Sequence, residues 1–399
     1  MRKMKDSGIE WIGQIPDDWN ILPTKRFFRH TKTLAGEQVD SYERLALTMN
    51  GVIKRSKDDS EGLQPEKFDT YQVLHENELV FKLIDLANVK TSRVGLSLYN
   101  GIVSPAYIVL TNDSKDNRFF YYCFISMYYN EIFNNLGDNG VRSSLNAQDL
   151  LNVPMVNIPN DLQIRIADFL DDKCGKIDRY IEKQQQIIDK LKEYKQAVIT
   201  EAVTKGLNPD VPMKDSGIEW IGMIPEHWEN RKVISILAMR VVDGSHESPE
   251  LFDEGIPYIS ATAIVNGKID FSQKRGFISP EYCDICDQRY VPQLDDILMI
   301  KLGASTGQVA MVETTDRFNI WVPLAAIRCN ESACPKFVYY AFQSDYFIKQ
   351  MQLSWTYGTQ QTLGVKTIER LRILMPLVEE QKQIADYLTE RRKLIDTSI

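Results

Sequence analysis

Cys283-Asp-Ile-Cys286 is the tightest group of potential metal ligands in this sequence. With Cys329 and Cys334 it would give zinc four thiolates only if all four converged, and the second spacing is loose for that geometry. No metal is therefore assigned. The four histidines, His30, His75, His227 and His246, form no H-E-x-x-H. Gly303-Ala-Ser-Thr-Gly307 resembles a phosphate loop only loosely, because the Lys-Ser/Thr that should follow it is missing. No Walker motif, G-x-G-x-x-G or Asn/Asp-Pro-Pro-aromatic tetrad occurs. Nucleotide hydrolysis and adenine methylation thus lack their residues, and no catalytic residue is assigned.

The chain has 399 residues, 43% hydrophobic and 26% charged, enough for two or three globular domains. Six cysteines are too few for a disulfide framework. There is no run of 18 apolar residues and no signal-peptide core after Met1, so a cytoplasmic protein without membrane contact is expected. A net charge of −8 argues against nonspecific coating of DNA or an anionic membrane. A DNA binder with its cations gathered on one face stays open, because phosphate binding depends on local Lys and Arg.

The elements that must position any site come in two copies. Lys-Asp-Ser-Gly-Ile-Glu-Trp-Ile-Gly occupies Lys5–Gly13 and recurs at Lys214–Gly222, an offset of 209. Later landmarks share an offset of 218: Glu78-Leu-Val80 with Asp296-Ile-Leu298, Pro105 with Pro323, Phe120-Tyr-Tyr122 with Val338-Tyr-Tyr340, and Ile166-Ala-Asp-Phe-Leu170 with Ile384-Ala-Asp-Tyr-Leu388. The ends match and the middles diverge, as a duplicated scaffold carrying two different readers would. Each middle mixes short β-rich runs with an aromatic helical run, separated by turns such as Asn50-Gly51 and Asn266-Gly267. In the first copy Phe120, Phe124 and Tyr128 share one helix face and read as core.

From Asn160 to about Lys205 the pattern is continuously helical, with Gln163 in the capping-box position and Gly206 at the stop. Leu170, Cys174, Ile177, Ile181, Ile188, Leu191, Val198 and Ala202 make a heptad seam. The partner expected for it is the second copy of the element, from about Glu379 onward, with Ile384, Leu388 and Ile395 facing the seam in an antiparallel coiled coil. Projected by the repeat, that second helix should reach about position 423, beyond Ile399. A shortened second helix would leave Ile188–Ala202 open to self-association of two copies. The fold class is therefore α+β: two globular domains separated and followed by long helices in a pseudo-twofold repeat. The expected segments are a first domain at 1–159, a spacer helix at 160–206, a second domain at 207–375 and a second, apparently truncated, helix at 376–399.

The string Glu201-Ala-Val-Thr-Lys-Gly-Leu-Asn-Pro-Asp-Val-Pro-Met-Lys-Asp-Ser-Gly-Ile-Glu-Trp-Ile-Gly222, set in this duplicated frame, resembles the specificity (S) subunit of type I restriction-modification systems. Gly101-Ile-Val-Ser-Pro-Ala-Tyr107 and Gly140-Val-Arg-Ser-Ser-Leu145 are similar to landmarks of the family's target recognition domains. In the second copy Asp243-Gly-Ser-His246, Gly255-Ile-Pro-Tyr258 and Gly358-Thr-Gln-Gln-Thr-Leu363 play that part. The resemblance covers essentially the whole chain. It implies a non-catalytic DNA-recognition subunit in which each domain reads half of a bipartite, asymmetric site on double-stranded DNA, while the helices set the separation. Two modification (M) subunits would bring S-adenosylmethionine and methylate adenine N6. Restriction (R) subunits would add ATP- and Mg-dependent cleavage, and no cofactor would be bound by this chain.

On that footing the DNA-contact candidates of the first domain are Lys54, Arg55, Lys57, Lys90, Arg93, Arg142 and Ser143. Those of the second are Ser245, His246, Lys268, Lys274, Arg275, Lys301, Thr306, Gln360 and Gln361. Lys and Arg hold phosphates, Arg also forks onto guanine, and Gln suits adenine. Trp11, Trp19, Trp220 and Trp228, in and just after the repeated stretch, are expected to dock the domains on the helices, with an M-subunit surface as the alternative. A competing functional class is a coiled-coil adaptor whose two variable domains bind proteins instead of DNA.

Overall fold

The repeated nine residues fold twice into one hairpin. In the computed structural model Met4–Asp6 pairs antiparallel with Gln14–Pro16, and Met213–Asp215 with Met223–Pro225. The residue types dictate the turn. Asp215 Oδ1 accepts the Gly217 N–H at 2.9 Å, and Ser216 Oγ accepts that of Ile218 at 3.1 Å. Asp6 and Ser7 do the same for Gly8 and Ile9. Gly217 and Gly222 have φ of +72° and +70°, where a side chain is strained, so the stretch needs a glycine at both places.

The structure describes residues 2–59, 68–84, 86, 93–136, 144–357 and 361–399. They form two compact units, Met1–Tyr180 and Ile181–Ile399, so the division falls inside the long helix. Unit 1 is built on an antiparallel sheet in the order Arg29–His30, Ile108–Thr111, Leu79–Lys82, Arg93–Leu96. Unit 2 repeats the plan as Val242–Asp243, Leu324–Ile327, Ile297–Ile300, Val309–Met311. The central strands Leu79–Lys82 and Ile297–Ile300 stand 218 residues apart.

These central strands are buried on both faces, which is why they read as continuous apolar runs and not as alternating ones. Ile297 and Met299 face one core while Leu298 and Ile300 face another. In unit 1 Leu79 and Phe81 point one way and Val80 the other. Against the first face of unit 1 packs α1 (Arg118–Tyr129), whose Phe120, Phe124 and Tyr128 are buried as the spacing requires. Helix α2 (Ala147–Asn152) follows, held by a capping box of Asn146 and Asp149.

Helix α3 runs from Asn160 to Lys205. Gln163 does not close a capping box there; its Nε2 donates to Ile158 O at 2.9 Å. Gly206, at φ +76°, ends the helix in the left-handed turn that glycine favours. The start of α3 is tied to unit 1 through Tyr122, whose hydroxyl donates to Asp171 at 2.6 Å. Unit 2 continues with α4 (Pro280–Asp287), α5 (Pro335–Gln343), α6 (Asp345–Ser354), α7 (Val365–Arg370) and α8 (Val378–Ser398). There Tyr340, 218 positions after Tyr122, meets Thr389 of α8 at 3.1 Å, so the same tyrosine clasps the matching helix.

Helix α8 lies antiparallel along the C-terminal end of α3. Ile199, Ala202 and Val203 share a core with Ile384, Ala385 and Leu388, and Lys195 Nζ reaches Asp396 Oδ1 at 2.6 Å. Ile395 is buried as well. Two expectations need correction. The seam residues Ile177 and Ile181 are 57% and 60% exposed, while Leu170, Ile188, Leu191 and Val198 are half-buried. Ile188–Ala202 is open only in part: α8 covers the Lys205 end, where Ile199 and Ala202 are buried, while Tyr194 is 50% exposed and Phe169, Ile177, Tyr180, Ile181 and Ile187 farther back are exposed too.

The tryptophans also divide differently. Trp228 is fully buried against the α3–α8 core and donates its Nε1–H to Glu380 at 3.1 Å, and Trp19 packs on the core of unit 1. Trp11 and Trp220 instead stand 36% and 45% exposed on the hairpin turns. Trp220 and Ile221 nonetheless line one pocket with Ala197, Thr200 and Thr204 of α3, and Ile221 packs on the α3–α8 core.

Candidate nucleic-acid interface

One end of the unit 2 sheet gathers most of the polar side chains singled out by sequence. Antiparallel pairing puts Asp243 opposite Ala325, Ile300 opposite Leu324 and Met299 opposite Val309, so the ends of four strands coincide. Bridges Ser245↔Trp321 and Leu302↔Thr362 bring two more loops to the same place. Unit 1 has the same joint: Ile84↔Ser144 lies 218 positions before Leu302↔Thr362. The Leu145 N–H bonds Leu83 O at 3.1 Å, as that of Leu363 bonds Lys301 O at 2.9 Å.

At this joint the two units differ in side chains. Unit 1 has the buried Leu83 where unit 2 has Lys301. Lys301 is itself only 8% exposed, and its Nζ lies 2.9 Å from Asp243 Oδ2. Asp243 is also met by His246 Nε2 at 3.0 Å and by the Arg289 guanidinium. Burial pushes the Asp243 carboxyl up, and Lys301, His246 and Arg289 overcome it, leaving the group below the usual carboxylate range. Two cations, Lys301 and Arg289, on one carboxylate leave an excess of positive charge at the sheet end, which suits an anionic ligand.

Beside this hub Ser245 Oγ and Tyr282 Oη are 2.9 Å apart. The Arg275 guanidinium lies over the Trp321 ring at 3.3 Å, and Trp321 donates to Glu247 O at 3.2 Å. Gly244 is required here: a Cβ would stand 2.3 Å from Ile320 O and 2.4 Å from the Trp321 carbonyl carbon. Gln361 belongs to the hairpin Thr356–Tyr357/Gln361–Thr362, and its Oε1 is buried without a partner. The Thr306 hydroxyl turns inward to Gly303 O at 2.7 Å and is buried. Lys274 sits over Phe277 at 4.5 Å, and Lys268 lies 3.7 Å from Glu313, apart from the hub.

In unit 1 the basic loop is engaged by its own surroundings. Lys54 is paired with Glu43 at 2.7 Å, which holds its ammonium pKa up. Arg55 meets Asp59 at 2.6 Å, and Lys57 donates to Val39 O at 2.8 Å. Arg93 opens the edge strand opposite Lys82, at the same sheet end as Ile84 and Ser144. Lys90, Arg142, Ser143 and Gln360 lie outside the described residues.

Sequence reasoning missed Asp243, Arg289, Tyr282 and Trp321. Only Asp243 had a signal, its place in Asp-Gly-Ser-His, because the others arrive from separate strands and a helix. Cys283 and Cys286 are buried in α4, and among the described residues no three His, Cys, Asp or Glu side chains are grouped to hold a metal ion.

Residues 225–398 match the family model of the type I restriction modification DNA specificity domain. That stretch, which lies in unit 2, is similar to the type I restriction-modification specificity subunits. It is 27% identical over 286 residues to the type I restriction enzyme EcoBI specificity subunit of Escherichia coli, covering 69% of this chain and 59% of that one. It is 22% identical over 402 residues to the type I restriction enzyme MjaVIII specificity subunit of Methanocaldococcus jannaschii, covering 97% and 88%. A solved chain from work on complex assembly and conformational transition of the type I R-M system shares its fold, with a TM-score of 0.67 at 14% identity over 96% of this chain and 92% of that chain. Among the described residues no helix is long and apolar enough to cross a membrane.

Proposed function

We propose that the chain is a specificity subunit, that each of its units reads one half of a bipartite, asymmetric DNA site, and that it works as a recognition component without chemistry of its own. The observation that carries this reading is the joint used twice with different side chains, Leu83 in one unit and Lys301 in the other. Equal frames with unequal loops are what two half-sites of different sequence call for. The acidic chain is no obstacle, because phosphate binding depends on local cations, and Lys301, Arg289 and Arg275 are grouped at the sheet end of unit 2. That concentration favours DNA over the protein-binding adaptor.

The duplicated hairpins supply the second part of the proposal. Exposed Trp11 and Trp220 top the same turn in both repeats, so they offer one kind of apolar surface twice. Two copies of one partner fit that arrangement, and we assign them to two M subunits, which carry S-adenosylmethionine for adenine N6 methylation. R subunits would join this assembly for ATP- and Mg-dependent cleavage, and the long helices set the half-site spacing. The test is to combine the chain with its M subunits and sequence the methylated adenines. Methylation confined to one bipartite motif is expected; methylation without sequence dependence, or none, overturns the reading.

A further inference from the structure

Arg275 has the geometry of a base-reading residue already set in place. It precedes the strand Gly276–Ile278, which pairs with Ile256–Ile259, and that strand pairs in turn with Asn319–Ile320. The Arg275 side chain crosses the middle strand to lie over Trp321, just past the third, with the guanidinium carbon 3.3 Å from the ring centroid. The backbone is pinned too, since the Arg275 N–H donates to Tyr258 O at 2.9 Å and that of Trp321 to Ile259 O at 2.9 Å.

Arg275 combines this stacking with an unused hydrogen-bonding edge. Arg240, Arg289, Arg317 and Arg328 of the same unit are committed to Glu369, Asp243, Asp284 with Asp287, and Asp296. Arg275 makes no side-chain hydrogen bond or ion pair among the described residues, and its Nε is buried without a partner. A cation stacked on an indole keeps its planar fork while losing little rotamer entropy on binding. Guanine offers the two acceptors, O6 and N7, that such a fork fits. Ser245, bridged to Trp321, and the Asp243 hub adjoin the stack, so the fork stands beside the positive sheet end that would meet phosphate.

We infer that Arg275, on its Trp321 platform, reads a guanine in the half-site recognised by unit 2. This rests on the DNA-reading function proposed above. Lysine would keep the charge and lose the fork, which separates base reading from phosphate binding.

The experiment uses the full chain with its M subunits and compares wild type, Arg275→Lys, Arg275→Ala and Trp321→Leu by sequencing methylated adenines from a random-sequence plasmid library. The wild-type motif should hold a G·C pair in one half that turns degenerate in both Arg275 variants and loosens in Trp321→Leu, with the other half unchanged. Duplexes with that pair replaced should bind wild type on the order of ten- to a hundredfold more weakly and bind Arg275→Lys equally well in both forms. Melting curves of all four proteins verify the fold, and Trp321→Leu keeps the assignment testable if an Arg275 variant unfolds. Three results overturn it: a wild-type motif with no guanine in either half, an unchanged motif in the Arg275 variants, or full rescue of Ala by Lys. A wild-type assembly that methylates without any motif instead overturns the DNA-reading function itself.

Discussion

Lys301 Nζ lies 2.9 Å from Asp243 Oδ2, and each side chain is 10% exposed. A buried pair of this kind costs desolvation, and removing one member leaves the other charge uncompensated. Asp243→Asn should therefore lower the stability of unit 2 by about 3 kcal/mol at pH 7. The Asp243 carboxyl is held below its ordinary value in the fold, so its stabilisation is complete above about pH 4 and is lost as pH falls through the lower folded value. Urea titrations at pH 7 and near pH 2 should show the wild-type advantage shrinking with acid. An equal gap at both values would mean that charge pairing is not what Asp243 contributes.

The two kinds of tryptophan should behave oppositely. Trp228 is fully buried against the α3–α8 core, so Trp228→Ala should cost about 3–5 kcal/mol. Trp220, 45% exposed beside α3, should cost clearly less, about 1 kcal/mol as alanine. Its loss should appear in M-subunit binding, most clearly in the Trp11→Ala/Trp220→Ala double variant. Calorimetric melts and binding titrations with purified M subunit separate the effects. A Trp220→Ala melt as low as that of Trp228→Ala would remove the docking role of the hairpin.

Duplication was legible because its landmarks sit where backbone geometry or packing leaves little choice: the two turn glycines of each hairpin, the tyrosines that clasp a helix, and the doubly buried central strands. Helix α3 was legible from end to end because Gly206 stops it. Burial along it was not, since a heptad pattern records which side chains can pair and not which part of the seam α8 reaches. Apolar type alone also does not say how far a ring is buried: Trp228 is fully enclosed, while Trp11 and Trp220 stay partly exposed. At the interface, Lys301 and His246 were legible as loop contact candidates, but Asp243, which holds them, reads in sequence as one more turn residue.

The cysteines should be slow to react. Burial pushes the Cys283 thiol up to about 11 and the Cys123 and Cys329 thiols up to about 12. The thiolate is the nucleophile, so at pH 8 the native chain should keep these three unmodified while iodoacetamide fully labels the urea-unfolded chain. Because the folded values lie above the unfolded one, the stability these thiols contribute is intact below pH 9 and declines as pH rises toward 11 and 12. Peptide mass analysis of timed samples reads the labelling. Rapid native alkylation of Cys283 would contradict its placement in α4.

Asp296 carries a structural prediction that separates folding from recognition in unit 2. It is 1% exposed and accepts hydrogen bonds from Tyr290 Oη at 2.7 Å, Gln293 N at 2.9 Å, and Arg328 Nε and Nη2, each at 2.7 Å. Arg328 Nη2 also donates to Val291 O at 2.9 Å, but Asp296 is the carboxylate that balances its charge and accepts the Tyr290 hydroxyl. Asp296→Ala leaves that charge without its counter-ion and that hydroxyl without its acceptor, and should cost about 3–5 kcal/mol. Asp296→Asn keeps part of the network and should cost less. The group sits at the start of the strand Ile297–Ile300, at the end opposite Lys301, so neither variant should alter the methylated motif while the protein stays folded. Melting of each variant, with motif sequencing at a temperature below its transition, reads both quantities. A changed motif in folded Asp296→Asn would show that the recognition loops are coupled to the far end of the sheet.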